Sequence, residues 1–311
     1  MNRRRLWIIG MLFGICLCLA CGCGKKESAA YVERGMEALA AGDAAGAKAA
    51  LSEAEKLAPE DPAVLRAMGV VFYEEGNDGE ALDYFSRALL ALGEGHGALR
   101  EDILRYKADA EFRSGALPEA VSDYGQLILL DNENAEYYLL RGRALAELGD
   151  AEGAVADFRT VSSLVAGDAA HCEDMYLTLK ERGAAEAGLE FLETIRQAGP
   201  QGDGARYGRA CLELARVRME EGRYEEALSL IQGALPQAEE PARQELLYAE
   251  GACYERLLDF GTALERFRAY RDAYGGDETL DHEIAFLETR VDLMENNDIE
   301  VQTPTETGAS G

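Results

Sequence analysis

The chain has 311 residues, with 31 lysines and arginines against 58 acids and a formal net charge of −27. That balance excludes nucleic acid and anionic lipid head groups as partners held by charge, and it offers an attraction to a basic partner. The length is large for one compact core and ordinary for a repeated one, and the seven cysteines are too scattered to read as a disulfide framework.

Arg3-Arg4-Arg5 precede an uncharged stretch from Leu6 to Gly24. A basic start, a short apolar run and small residues predict an export signal over residues 1–22, followed by a linker over 23–28. The run closes with Leu19-Ala20-Cys21-Gly22-Cys23-Gly24-Lys25-Lys26. A small residue directly before a cysteine resembles the lipobox of bacterial lipoproteins. The resemblance implies cleavage before the cysteine, lipid modification of its thiol, and a protein tethered to the membrane on the extracytoplasmic side of a bacterial cell envelope. Cys23, preceded by Gly22 and followed by Gly-Lys-Lys, fits that pattern. Cys21 is the alternative, with Cys18 standing where the box wants an aliphatic residue. An uncleaved anchor helix is the other reading, since about 17–20 apolar residues span a bilayer.

Beyond this segment one spacing organises the chain. Gly42, Gly76, Gly115, Gly149, Gly183 and Gly222 recur every 34 or 39 residues. Five residues after each stands a small residue (Ala47, Ala81, Ala120, Ala154, Gly188, Ala227), and four further a large one (Leu51, Phe85, Tyr124, Phe158, Leu192, Ile231). Seven residues before five of the glycines stands another small residue: Gly35, Gly69, Ala108, Gly142 and Ala215. Helix-period apolar runs that end in glycine predict paired helices. The small residues let the axes approach, and the large ones are expected to fill the space between neighbouring repeats. No helix pair buries its apolar face alone, so stability comes from stacking. The two 39-residue intervals predict longer connections through the glycine-rich stretches 93–97 and 199–204, with a kink of the stack at each.

These residues resemble the tetratricopeptide repeat family. Tyr31, Gly35, Ala47, Leu51, Ala54 and Pro59 carry the resemblance in the first unit, Leu65, Gly69, Ala81, Phe85 and Ala88 in the second, and Tyr138, Gly142, Ala154 and Phe158 in the fourth. About seven units span residues 28–273, the last around Gly251, Ala263 and Phe267. The resemblance implies an all-α fold, a right-handed α-solenoid of helix-turn-helix units. The pattern departs in repeat five, with Tyr176 at the small position and Gly188 in place of alanine, and in repeat seven, with Leu258 in place of the helix-end glycine. A last amphipathic helix within 277–296, with the stripe Leu280, Ile284, Leu287, Val291 and Met294, predicts a terminal cap. The Thr-, Glu-, Gly- and Ser-rich residues 297–311 predict a disordered acidic tail.

The sequence shows no catalytic constellation and asks for no cofactor. Asp168, His171, Cys172, Glu173 and Asp174 are metal-capable types, but they lack paired ligands at metal spacing, so no metal site is expected. No phosphate loop or nucleophile elbow is present, and abundant carboxylates alone make no acid–base pair. Cys172, Cys211 and Cys253 read as small core residues. An envelope enzyme, or a subunit accessory to one, is the alternative reading.

In tetratricopeptide arrays the first helix of each pair lines the concave face. By resemblance that face includes Arg66 and Tyr73, then Arg105, Phe112 and Arg113, then Leu139 and Arg143. It continues with Lys180, with Arg209, Leu212, Arg216 and Met219, and with Tyr248 and Arg256. Acids such as Asp102, Asp109, Glu173 and Glu245 interleave with them. Arginine with aromatic residues suits a peptide-holding surface; the plainer alternative is that each arginine pairs with an acid one turn away. Arg105, Arg113 and Arg143 are expected to form a basic strip beside Phe112, whereas Arg266 and Arg268, on a second helix, are expected to face outward. The expected function is that of a non-catalytic scaffold whose groove holds a partner protein or peptide.

Overall fold

The computed structural model describes residues 25–94, 97–201 and 203–296. The expected signal over residues 1–22, with Cys21, as well as Cys23 and the expected tail 297–311, lie outside the described residues. Those residues form fifteen α-helices and one 3-10 turn, with no strand among them.

The chain divides into two compact units, with the boundary between Val165 and Ala166. Unit 1 holds four helix pairs: α1 (25–40) with α2 (Ala44–Leu57), α3 (Pro62–Glu74) with α4 (Asp78–Leu92), α5 (Ala98–Ser114) with α6 (Leu117–Leu130), and α7 (Ala135–Glu147) with α8 (Ala151–Leu164). Unit 2 holds α9 (Ala169–Glu181) with α10 (Leu189–Ala198), α11 (Gly204–Glu220) with α12 (Tyr224–Ala234), α13 (Ala242–Arg256) with α14 (Phe260–Tyr274), and a final α15 (Glu278–Asn296). In each unit the described helices pack against their neighbours in chain order. The boundary falls at Ala166 and Gly167, both with positive φ, and not at either glycine-rich stretch.

All six periodic glycines take positive φ, between 75° and 84°. Gly42 shows why. Its N–H bonds Leu39 O at 2.9 Å and the next N–H, of Asp43, bonds Ala38 O at 2.9 Å, which closes α1 in a left-handed cap that a Cβ would strain. Asp43 then caps α2 by accepting from Gly46 N. Repeat seven makes the same closure without glycine: Leu258 has φ 65°, and Leu258 N and Asp259 N bond Glu255 O and Tyr254 O. A leucine held there costs about 1–2 kcal/mol, while glycine loses up to about 1 kcal/mol more chain entropy on folding. Leu258 is 67% exposed, so little burial is lost with it. Leu258→Gly is therefore expected to raise stability by about 0.5–1 kcal/mol, read as a higher urea midpoint of unit 2; a lower midpoint would show that the side chain matters more than the backbone.

The large residue of each repeat sits first on its own pair. A Cβ on Gly69 would lie 2.5 Å from the Phe85 ring, one on Gly142 2.4 Å from Phe158, and one on Gly251 2.9 Å from Phe267. These rings fill the crossing inside a repeat, where the sequence pattern suggested the space between repeats, and then reach onward: Phe85 clusters with Ile103 and stacks on Tyr106 at 5.9 Å. Repeat five inverts the sizes. Tyr176 is large, and Gly188 makes room for it, a Cβ there lying 3.1 Å from the Tyr176 ring.

The longer intervals become helix more than loop. α5 and α11 each have 17 residues against 13 in α3 and α7, so most of each insertion is an added turn of a first helix. The terminal helix buries Leu280, Ile284 and Leu287 against Ala263, Leu264 and Phe267, with Val291 partly covered. Met294, expected in that stripe, is 51% exposed because the contact ends a turn earlier. Cys172, Cys211 and Cys253 are buried and free, as expected of core residues.

One contact recurs inside the repeats. Just before the small residue of the first helix stands one charge, and just before the large residue of the second stands its opposite. Lys107 bonds Asp123 at 2.7 Å, and Arg141 forks onto Asp157 at 2.8 and 2.7 Å, each across 16 residues. Repeat seven reverses the order: Arg266 bonds the buried Glu250 at 3.3 Å. Arg266 keeps its side chain 44% exposed on α14 while reaching Glu250 of α13, and Arg268 pairs at the surface with Glu288 of α15.

Candidate functional site: the first-helix faces

In unit 2, α11 packs against α9 and α13. Between them lies a cavity of about 200 Å³. Its apolar lining comes from Leu177, Leu192, Ala210, Leu212, Pro241 and Ala242, and its polar lining from Glu173, Lys180, Arg209, Glu213, Arg216 and Glu245. Leu177 is 46% exposed there, an apolar side chain left uncovered beside charge.

The charges are set by carboxylates reaching across repeats. Glu173 accepts from Arg206 Nε and from Arg209 Nε, both at 2.7 Å. Glu213 accepts from Lys180 Nζ at 2.7 Å, Arg216 at 2.8 Å and the Tyr176 hydroxyl at 3.0 Å. Arg216 also reaches Glu245 on α13. Burial works against ionisation of Glu173, but hydrogen bonds from Arg209 and Arg206 hold its carboxyl below the usual range. Glu213 is held down in the same way, against burial, by Lys180. Burial first, then Glu213, pushes the Tyr176 phenol up. The cations stay about half exposed while Glu173 and Glu213 are mostly covered. An arginine fixed along one edge keeps further N–H donors for a ligand, next to an apolar floor.

Four of the residues expected on the concave face therefore meet in one place: Lys180, Arg209, Leu212 and Arg216. Met219 instead packs on the core of repeat six, Arg256 is exposed beside Glu255, and Tyr248 joins a separate tyrosine cluster.

In unit 1 a second group converges. Arg66 bonds Asp102 at 2.5 Å and lies over Tyr106 at 5.2 Å; Arg105 lies over the same ring at 4.8 Å. Arg113 lies 3.9 Å over Tyr73, donates to Tyr73 O at 2.8 Å and pairs with Asp78 of α4. Tyr73 and Tyr106 meet edge to face at 5.4 Å. Burial first, then Asp109, pushes the Tyr73 phenol up. Of the basic strip expected from Arg105, Arg113 and Arg143 beside Phe112, the side chains of Arg105 and Arg113 are about 40% exposed. Arg105 and Arg113 are each matched by an acid, and Phe112 is half-buried against the core around Leu104 and Tyr124. Leu139 and Arg143 lie half-buried on α7. Besides the expected Tyr73, two rings absent from the expected set, Tyr106 and Tyr176, carry cations.

The metal-capable cluster resolves into structural duties. Asp168 caps α9, accepting from Ala170 N and His171 N, and pairs with His171 Nδ1 at 2.7 Å. Cys172 is core and Glu173 belongs to the arginines. No group of metal-holding residues occurs among the described residues, and no helix among them is long and apolar enough to cross a membrane.

Comparison with known families agrees with this architecture. Tetratricopeptide repeat models match residues 32–97, 105–169 and 210–245, more than half of the chain. The chain belongs to the tetratricopeptide repeat family. Its fold class is that of an all-α solenoid built from tetratricopeptide units. Among solved structures, it is similar to the Naa15/Naa10 complex bound to HypK-THB at a TM-score of 0.60 and 13% identity, over 86% of this chain and 41% of that one. A tetratricopeptide repeat protein from Parabacteroides merdae ATCC 43184 aligns at 0.49 and 18% identity, over 85% of this chain and 99% of that one. YrrB, described as having an unusual peptide-binding site, aligns at 0.46 and 20%, over 55% of this chain and 86% of that one. No curated protein is similar to the chain in sequence. Tetratricopeptide proteins are in general non-catalytic scaffolds, and the fold supports a protein–protein interaction role for this array.

Proposed function

We propose that this tetratricopeptide array is a non-catalytic scaffold that holds a segment of a partner protein on the α9–α11–α13 face, and that a lipid on Cys23, or alternatively Cys21, tethers it to the outer face of a bacterial membrane. The observation that carries the binding reading is the half-exposed row of Lys180, Arg209 and Arg216 around the uncovered Leu177. Such a face suits a segment with a carboxylate next to an apolar side chain. The tether reading is supported by the basic, apolar, cysteine-terminated start of the sequence.

Two experiments test these readings. Partners are crosslinked on membranes, and the captured segment is titrated against the wild-type array and Arg209→Gln/Arg216→Gln. The double variant is expected to bind at least ten-fold more weakly, with a salt-dependent loss in the wild type, screening acting over about 8 Å at physiological ionic strength. Exposed Arg268→Gln serves as the control, and equal losses from both variants would place the partner elsewhere. For the tether, cells are fed a labelled fatty acid. Cys23→Ala is expected to abolish the label; loss with Cys21→Ala alone moves the site to Cys21, and normal labelling of both variants removes the lipid reading.

A further inference from the structure

A second cavity of unit 2, about 370 Å³, lies where α13, α14 and the start of α15 meet. Three tyrosines line it: Tyr248, Tyr270 and Tyr274. Tyr248 stands edge to face with Tyr270 at 5.5 Å, and Tyr274 is tilted against Tyr270 at 5.2 Å, so the rings form adjoining walls. Hydrogen bonds hold them in place. Gln244 donates to the Tyr270 hydroxyl at 2.9 Å, and the Tyr274 hydroxyl donates to Glu240 at 2.6 Å.

The charge around these walls is negative. Asp277 lines the cavity, and the Tyr248 phenol is pushed up by burial and then by Glu283, Asp277 and Glu255. Burial first, then Glu283, pushes the Glu255 carboxyl up as well, with Arg256 opposing. Arg243 comes within hydrogen-bond reach of the Tyr274 hydroxyl, and its Nη1 donates to Leu235 O at 2.6 Å. Glu283 stands behind the cavity lining, its Oε1 buried with no donor other than the Glu255 carboxyl against it.

Elsewhere the protein supplies its own cations to such rings. Arg113 covers Tyr73, Arg66 and Arg105 cover Tyr106, Arg87 covers Tyr84 and Lys180 covers Tyr176. Among the described residues no lysine or arginine covers Tyr248, Tyr270 or Tyr274. A ring face attracts a cation through its quadrupole, and the acids around these rings add to that attraction.

We propose that this tyrosine cavity receives a basic side chain, lysine or arginine, from a partner protein. The ammonium or guanidinium group lies against the tyrosine faces with Asp277 and the Glu255–Glu283 pair behind them. The partner source rests on the scaffold reading above, but the site differs from the α9–α11–α13 face in place and in the sign of charge it selects.

The test uses small probes and needs no captured partner. The full array with labelled tyrosine rings is titrated with N-acetyl-lysinamide and N-acetyl-argininamide at constant ionic strength, with uncharged N-acetyl-norleucinamide and with choline as comparisons. Saturable shifts of the Tyr248, Tyr270 and Tyr274 rings with the basic amides, and none with norleucinamide, are expected. Tyr248→Leu and Glu283→Gln are each expected to weaken binding about five-fold or more, while Tyr274→Phe, which keeps the ring face, changes it less than two-fold. Thermal melts of every variant confirm folding, and if Tyr248→Leu unfolds the array, Glu283→Gln decides. Equal response to norleucinamide, saturation by choline alone, or full binding in folded Glu283→Gln would each overturn the proposal. Because these probes do not use the Arg209–Arg216 face, failure here leaves that reading standing, and the converse holds.

Discussion

Arg141→Glu is expected to destabilise unit 1 by about 3–5 kcal/mol, and adding Asp157→Arg is expected to restore most of that loss. Asp157 is buried, and both its oxygens are held by the Arg141 fork. Removing the cation leaves a buried carboxylate unpaired, and replacing it with glutamate adds a repelling charge. The double change turns the pair around, an arrangement that repeat seven already uses in Glu250 and Arg266. Urea unfolding of the single and double variants checks this: the coupling between the two changes should be large and favourable. A double variant no better than the single would mean that the polarity of the pair is fixed by its surroundings in repeat four.

Gly142→Ala is expected to cost about 1–3 kcal/mol, and Gly142→Leu more. The added Cβ would lie 2.4 Å from a carbon of the fully buried Phe158 ring, which has nowhere to retreat. Helix propensity alone predicts the opposite, a gain of about 1 kcal/mol for glycine to alanine inside a helix. Gly79, in the first turn of α4, isolates that term because nothing lies within 4 Å of its Cβ position, so Gly79→Ala should be neutral to mildly stabilising. Opposite shifts of the two urea midpoints would establish that close packing outweighs propensity at Gly142. A gain at both sites would mean that the Phe158 ring yields at the α7–α8 crossing.

The repeat architecture was legible because it is written in local terms. A glycine that must take positive φ, and a small residue sixteen before a large one, can be read along one stretch of chain. Even the exceptions follow the logic: Tyr176 and Gly188 trade sizes, and Leu258 accepts the strained backbone where glycine is missing. The site was legible only in part. Lys180, Arg209, Leu212 and Arg216 were placed on one face by helical period, and they do line one cavity. Their acid partners were not legible, because Arg209–Glu173 and Arg66–Asp102 each join groups 36 residues apart on neighbouring repeats. Distance along the chain says nothing of that until the repeats are stacked. The separations, 36 residues in these pairs and 33 in Arg206–Glu173, nevertheless lie near the repeat length, so comparing positions about one repeat apart would have found them.

The three buried thiols all lie on first helices of unit 2, on α9, α11 and α13. Every other cysteine of the chain falls at or before Cys23. In a chain cut before a lipid-bearing Cys23, Cys172, Cys211 and Cys253 are then the only free sulfhydryls. Burial pushes the Cys211 thiol up and the Cys253 thiol up to about 11, so both resist alkylation twice over, by access and by protonation. Alkylating reagents would therefore act as a clock on one half of the molecule, labelling it at the rate at which unit 2 opens and passing over unit 1.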